Sequence, residues 1–161
     1  MINDWHDLFV ATAGAAAALT GLIFVGVSLN LTKILSYESL PNRALLSLVL
    51  LLDILIVSIL ILIPNQTDLI LGMEILATGI TLYIFTTSLD MKNYKKTPEQ
   101  YKKRYRVHII IDQIAALSYI FAGLSILIWG NSGIYVIVLG IIFSFIKAIF
   151  DAWVLLVEIN R

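Results

Sequence analysis

The chain has 161 residues, of which 60% are hydrophobic and 14% are charged, and its formal net charge is zero. Soluble domains are about 45–50% apolar and about 25% charged, so this composition excludes an ordinary soluble domain. The absence of cysteine excludes disulfide bonds, thiolate catalysis and cysteine-ligated metals. The zero net charge argues against a nucleic-acid partner. The composition therefore predicts an integral membrane protein.

Five apolar segments follow one another along the chain, and each reaches the length of about 20 residues that a membrane-spanning helix needs. They cover residues 8–32, 41–63, 69–89, 107–129 and 134–157. Turn-forming residues such as Pro64-Asn65 and Gly130-Asn131 separate them. We therefore predict one all-α domain over residues 1–161, a compact bundle of five transmembrane helices without a soluble domain. A first segment that re-enters the membrane or lies along its surface is the alternative for the N-terminal span.

A basic loop predicts the orientation of these spans. Residues 92–106 hold seven of the eleven Lys and Arg residues, and basic loops stay on the cytoplasmic side. Counting spans from this loop places the N-terminus outside and the C-terminus in the cytoplasm. Lys33, Arg43 and Arg161 then also fall on the cytoplasmic side, which agrees with the assignment. We expect a multi-pass protein of the plasma membrane, which is the cytoplasmic membrane of a bacterial or archaeal cell and corresponds to the cell inner membrane where two membranes are present.

Four ionisable residues inside the spans form a candidate polar cluster: Asp53, Asp112, Lys147 and Asp151. Such residues usually face the interior of a bundle and pair with one another. Side chains tilt toward the N-terminus of their helix, so Lys147 would have to bend against this tilt to reach the cytoplasm. We therefore expect Lys147 to contact Asp53, Asp112 or both, with Asp151 one turn away. A proton or ion relay, a gate and a structural salt bridge are all compatible with this pattern.

The third span carries a polar stripe that is a candidate path for ions. Thr67, Glu74, Thr78 and Thr81 lie on one side of the predicted helix, although Phe85 falls in the same sector. Threonine in a membrane helix often bonds its own upstream carbonyl oxygen, so simple packing is the alternative interpretation.

The first span is unusually rich in small residues. A candidate helix-packing stripe consists of Gly14, Ala18, Gly21 and Ser28, and a second stripe on nearly the opposite side consists of Thr12, Ala16, Gly26 and Asn30. Small residues let helix backbones approach closely in lipid. Two such stripes predict a helix that is buried from two directions, either at the centre of the bundle or at an interface between subunits. A pore-lining helix is a further alternative.

Several stretches resemble a widespread family of small uncharacterised bacterial membrane proteins. They are DWHDLFVATAGAAAALTGLIFVGVSLNLTKIL, LPNRALLSLVLLL, IPNQ and LGMEIL, all within the first 80 residues. Some members of that family carry the label "modulator of FtsH protease". The resemblance implies a regulatory subunit that associates with a membrane-anchored AAA protease, and it implies no catalytic or binding residues.

These patterns favour an interaction or regulatory membrane subunit that is homo-oligomeric and has the lipid bilayer, itself and another membrane protein as candidate partners. The alternative is an oligomeric ion or proton channel, or a small transporter, that uses the threonine stripe and the polar cluster. We expect no enzyme, cofactor or metal site. The two histidines of the chain are fewer ligands than a typical metal site has. The sequence has no glycine-rich phosphate loop, H-E-x-x-H or G-x-S-x-G motif.

Overall fold

The computed structural model describes residues 2–37, 40–97 and 99–159, and it contains no strand within these ranges. The helices are α1 (Ile2–Leu29), α2 (Leu31–Ser36), α3 (Leu40–Leu62), α4 (Asp68–Lys96), α5 (Glu99–Trp129) and α6 (Ile134–Ile159), and a 3-10 turn at Gly130–Gly133 precedes α6. All of them except the six-residue α2 are long and apolar enough to cross a membrane. The predicted all-α fold with five candidate membrane spans is confirmed.

Local chemistry explains where these helices begin and end. Thr67 caps α4, because its side-chain oxygen accepts a hydrogen bond from the backbone N–H of Ile70 at 3.3 Å. Gly130 ends α5 with a φ of 61°, a left-handed conformation that glycine adopts without strain. Asn30 interrupts the first apolar segment, so the predicted span 8–32 is divided into α1 and α2.

The predicted basic loop is wrong in its local structure, because most of residues 92–106 are helical. Helix α4 continues to Lys96 and α5 already begins at Glu99. Lysine, arginine, glutamate and glutamine are good helix formers. Helix α4 ends because Pro98 follows Thr97, which is held in an extended conformation. We call this end of the bundle, where α4 and α5 meet, the basic end.

Helices α4 and α5 pack closely along the bundle because glycines lie between them. A Cβ atom on Gly79 would lie 2.8 Å from the backbone nitrogen of Ile120, and one on Gly123 would lie 2.7 Å from that of Leu76. Helix α5 also packs against α6, where a Cβ on Gly133 would approach the backbone of Ile126 within 2.7 Å. These glycines, rather than those of α1, allow the closest approach between helices in this chain.

Helix α1 lies at the edge of the bundle. Of the most apolar 18 residues of α1, 17% are buried, whereas the corresponding value for α3 is 50%. Helix α3 contacts α1, α4 and α6. The side of α1 that faces α3 includes Phe9, Thr12 and Ala16, all of which are buried. Of the two predicted placements of α1, the one at the centre of the bundle is therefore wrong. Thr12 and Ala16 of the second small stripe lie on the buried side of α1, whereas Gly26 of that stripe is open.

Two Gly→Ala substitutions test this packing. Gly79→Ala should lower the free energy of unfolding by about 1–3 kcal/mol, because the added methyl group meets backbone atoms that cannot move aside. Gly14→Ala should change it by less than about 0.5 kcal/mol, because no atom lies within 4 Å of the added group. Thermal unfolding of the purified protein in detergent measures both, and equal effects would contradict the packing.

Candidate functional site: a buried lysine–aspartate cluster

Lys147 is fully buried between two carboxylates. Its Nζ atom lies 2.8 Å from Oδ2 of Asp112 on α5 and 2.5 Å from Oδ2 of Asp151, one turn further along α6. The side chain of Lys147 is 2% exposed, so it does not extend to the surface of the bundle. The predicted contact between Lys147 and Asp112 is confirmed.

The register of α5 and α6 explains why these two residues meet. A Cβ on Gly133 would touch Ile126, and one on Gly140 would touch Tyr119. From Gly133 to Gly140 the chain advances by seven residues, and the residue that each glycine faces on α5 moves back by seven, from Ile126 to Tyr119. Continuing by the same step brings Lys147 opposite Asp112. The small residues of α6 therefore position the ion pair by setting how the two helices align.

A second buried carboxyl group lies closer to the basic end. Asp90 on α4 is 1% exposed, and its Oδ1 accepts a hydrogen bond from the hydroxyl of Tyr105 on α5 at 3.2 Å. Asp90 interacts electrostatically with Lys147, Asp151 and Arg43. It therefore belongs to the same network as the Lys147 ion pairs.

The network continues with an amide pair that links α3 to α4. The Nδ2 atom of Asn42 donates a hydrogen bond to Oδ1 of Asn93 at 2.7 Å. Asn93 lies three residues after Asp90 on the buried side of α4 and is itself buried. Four helices thus contribute polar side chains to this half of the bundle.

Asp53 does not join the predicted cluster. It is 7% exposed, its Oδ2 has no hydrogen-bond partner among the described residues, and it forms no ion pair with Lys147. Its electrostatic neighbour is Tyr119 on α5, whose hydroxyl donates a hydrogen bond to Oγ of Ser144 at 3.3 Å. The cluster consists of Asp112, Lys147 and Asp151, and Asp53 lies apart because its helix presents it toward Tyr119.

The sequence-based cluster also omitted Asp90 and Tyr105. Asp90 lies near the end of an apolar segment, where a carboxylate ordinarily reaches water. A usable signal was nevertheless present, since Thr86, Asp90 and Asn93 follow the i, i+4, i+7 spacing of one helix face, and all three are buried.

The predicted polar path along α4 is not a lining of the bundle interior. Thr67 and Thr81 are exposed, and Thr78 and Glu74 are half-buried. Thr78 and Thr81 donate hydrogen bonds to the carbonyl oxygens of Ile75 and Ala77, and Glu74 accepts one from Gln66. Their polar groups are satisfied within α4 and the segment just before it, as the packing interpretation expects.

The buried polar groups are concentrated toward the basic end. In the opposite half, the described core is filled by apolar side chains, namely Val57, Ile61, Leu71, Ile75, Ile126, Ile134 and Ile137. Ser58 is a buried polar residue there, and its hydroxyl has no hydrogen-bond partner among the described residues. The polar network therefore reaches about as far as Asp53 and does not continue as a polar path through a single chain.

The cluster holds one lysine among several carboxyl groups, which sets what it can do chemically. Lys147 carries one positive charge and can therefore neutralise only one of its two partners, and both carboxylate oxygens of Asp112 lack a hydrogen-bond partner among the described residues, although Oδ2 forms the ion pair with Lys147. No three His, Asp or Glu side chains are placed to hold a metal ion in the part of the chain that the structure describes. The arrangement is thus suited to holding α5 and α6 together and to exchanging protons.

Substitutions of the ion pair should be strongly destabilising. Lys147→Met should lower the free energy of unfolding by about 3–5 kcal/mol, because it leaves the buried carboxylates of Asp112 and Asp151 without a cation. Asp112→Asn should cost less, because Asp151 still pairs with Lys147. The double variant should lose less than the sum of the two, since only the carboxylate of Asp151 then remains without a cation. Thermal and denaturant unfolding in detergent measure this coupling.

Asp53→Asn is the matched control for these variants. It replaces another buried carboxyl group with an isosteric amide but removes no ion pair, so its effect should be clearly smaller than that of Asp112→Asn. An equal loss at both positions, or additive effects of the paired variants, would contradict the assignment of Asp112 as the partner of Lys147.

No protein-family model matches this sequence, and no curated protein or solved structure matches it. The resemblance of its first half to a family of small bacterial membrane proteins therefore stays a prediction.

Proposed function

We propose that this multi-pass membrane protein is an interaction subunit that associates with a second copy of itself through the exposed face of α1. The observation that carries the proposal is the position of the predicted packing stripe. Gly14, Ala18, Gly21 and Ser28 are exposed, and a Cβ added to Gly14 or Gly21 would meet no atom within 4 Å. Among the described residues, no side chain or backbone packs against these two glycines.

The stripe lies on the side of α1 that points away from α3. Helical geometry places its four residues within about 60° of the direction opposite to buried Ala16. A face of glycine and alanine offers lipid chains little contact, but it lets another helix backbone approach closely. Gly14 and Ala18 have the small-xxx-small spacing that supports such an approach. This geometry favours a partner helix over lipid at this face.

A second copy of the chain is the simplest partner. In a two-fold symmetric dimer the same face is used by both subunits, so one small-residue stripe supplies both sides of a close contact. The resemblance to modulators of a membrane protease suggests that the same face also serves a different membrane protein. In both cases the protein acts through association, and its buried charges hold the bundle in one arrangement. We propose the basic end as its cytoplasmic side.

Replacing the stripe glycines with leucine tests this function. Gly14→Leu and Gly21→Leu together should raise the dissociation constant of the dimer at least about tenfold, which corresponds to ~1.4 kcal/mol. Thermal unfolding of the monomer should stay unchanged, because the added side chains meet open space within the chain. Energy transfer between labelled copies in bicelles, measured against the ratio of protein to lipid, gives the constant.

Gly26→Leu is the control, because Gly26 is also open but lies off the stripe on the same helix. It should leave the dissociation constant unchanged. A wild-type protein that stays monomeric at every protein-to-lipid ratio would refute self-association. A stripe variant that dimerises as well as the wild type would refute the assignment of this face.

Proton or ion conduction is the second candidate, and the buried network favours it. Asp112, Lys147 and Asp90 bring exchangeable protons deep into one half of the bundle. The apolar packing of the other half argues against a path through a single chain, so conduction would require a path between copies or a second conformation. The exposed threonines of α4 would then lie between subunits.

Flux across liposome membranes separates the two candidates. We expect the purified protein to show no proton or ion flux above that of empty liposomes, since the apolar half of the core offers ions no polar groups. Flux that disappears in Lys147→Met or Asp53→Asn would overturn this expectation and favour conduction. Gly26→Leu serves as the control, because it leaves both the buried network and the proposed dimer face untouched.

A further inference from the structure

We propose that the basic end of the bundle carries a belt of four cations that binds the headgroup phosphates of anionic phospholipids. The belt consists of Lys92 and Lys95 on α4 and Lys103 and Arg106 on α5, all of which are exposed. This site goes beyond the proposed interaction function and does not use the α1 face, so the two fail or succeed independently.

The register of α4 and α5 places these four cations at one depth. Gly72 faces Leu127, Gly79 faces Ile120 and Gly123 faces Leu76. Each step forward along α4 therefore corresponds to one step back along α5. By this rule Arg106 lies level with Asn93, and Lys103 lies level with Lys96. All four cations then fall within a band of about 6 Å along the bundle, at 1.5 Å per residue. Residues that look like a loop in the sequence form a belt in the fold.

Apolar side chains continue from the belt toward the middle of the bundle on the same faces. On α5, Lys103 and Arg106 share a helix face with Ile110, which is 57% exposed, and with Ile114. On α4, Lys95 shares a face with Ile84, which is 60% exposed. A surface that changes from apolar to cationic within about three helical turns matches the change from acyl chain to phosphate in a lipid leaflet.

The charge of the belt is not neutralised within the described part of the chain. The acidic residues nearest to it in the sequence are Asp90 and Glu99. Asp90 is buried and bonded to Tyr105, whereas Glu99 is exposed and pairs with Lys102, which is not one of the four. No described acidic side chain forms an ion pair with a belt residue. Four unpaired cations at one depth attract anionic lipid, because each cation near such a surface adds to the attraction.

A lipid headgroup fits this surface better than a free phosphate. The cations lie at one level on the exposed surfaces of two helices, and the same helix faces carry exposed isoleucines that an acyl chain can cover. A free phosphate would contact the cations alone and leave the apolar part of the surface unused.

Lipid titration of the purified protein in mixed micelles tests the proposal. A micelle has no inner and outer leaflet, so the orientation of the protein does not affect which lipids reach the belt. Native mass spectrometry should show tighter binding of phosphatidylglycerol than of phosphatidylcholine, with a difference that shrinks at high salt. Each single change among Lys92→Gln, Lys95→Gln, Lys103→Gln and Arg106→Gln should weaken phosphatidylglycerol binding about fivefold, the equivalent of ~1 kcal/mol. The quadruple variant should bind the two lipids equally.

A charge-conserving variant with Lys92→Arg, Lys95→Arg, Lys103→Arg and Arg106→Lys is the matched control and should keep the preference. Equal thermal unfolding of both quadruple variants establishes that they are folded. A wild-type protein without the preference, or a glutamine variant that keeps it, would overturn the proposal. Glycerol 3-phosphate that binds as tightly as the lipid would overturn it as well, in favour of a free-phosphate site.

Discussion

The burial of Lys147 is the constraint on which the rest of the bundle depends. A charge removed from water must be compensated by opposite charge and hydrogen bonds at short range. Asp112 on α5 and Asp151 on α6 supply that compensation, at 2.8 Å and 2.5 Å from Nζ. The close contacts of Gly133 and Gly140 with α5 already favour one alignment of α5 and α6. The ion pair reinforces this alignment, because a shift by one turn of α6 against α5 would separate Lys147 from Asp112.

The network around this ion pair divides the bundle into two unequal halves. Toward the basic end, Asp90, Tyr105, Asn93 and Asn42 connect α3, α4 and α5 through directional contacts. In the opposite half, interdigitating Ile, Leu and Val side chains and the close glycine contacts of α4, α5 and α6 hold the helices together. Polar contacts specify which residues face one another, and apolar side chains fill the far half of the described core. This division is the physical reason that we favour association over conduction as the function.

Helix α1 differs from the other spans because it leaves most of its surface outside the bundle. Its contact with α3 uses one side, and the opposite side presents glycine and alanine with open space around them. In water such a helix would be held by the hydrophobic effect, but in lipid an apolar surface has no such drive to bury itself. Van der Waals contact with the backbone of a second helix is then the main source of stabilisation for this face. The glycines of α4 and α5 differ from those of α1, because they already pack against another helix of the same chain.

The sequence by itself determined the number of candidate spans, their approximate limits and the position of each charged residue along its helix, because length, hydropathy and helical rise are local properties. It also indicated that Lys147 must pair inside the bundle, since tilt and depth left it no easy route to water. Only the tertiary structure decided that Asp112 rather than Asp53 is the partner, that Asp90 joins the network, and that the stripe of α1 remains exposed. These outcomes depend on how each helix is rotated and aligned against its neighbours. A helix surrounded by lipid can turn almost any apolar or small-residue face outward, so the sequence of one helix does not define that rotation.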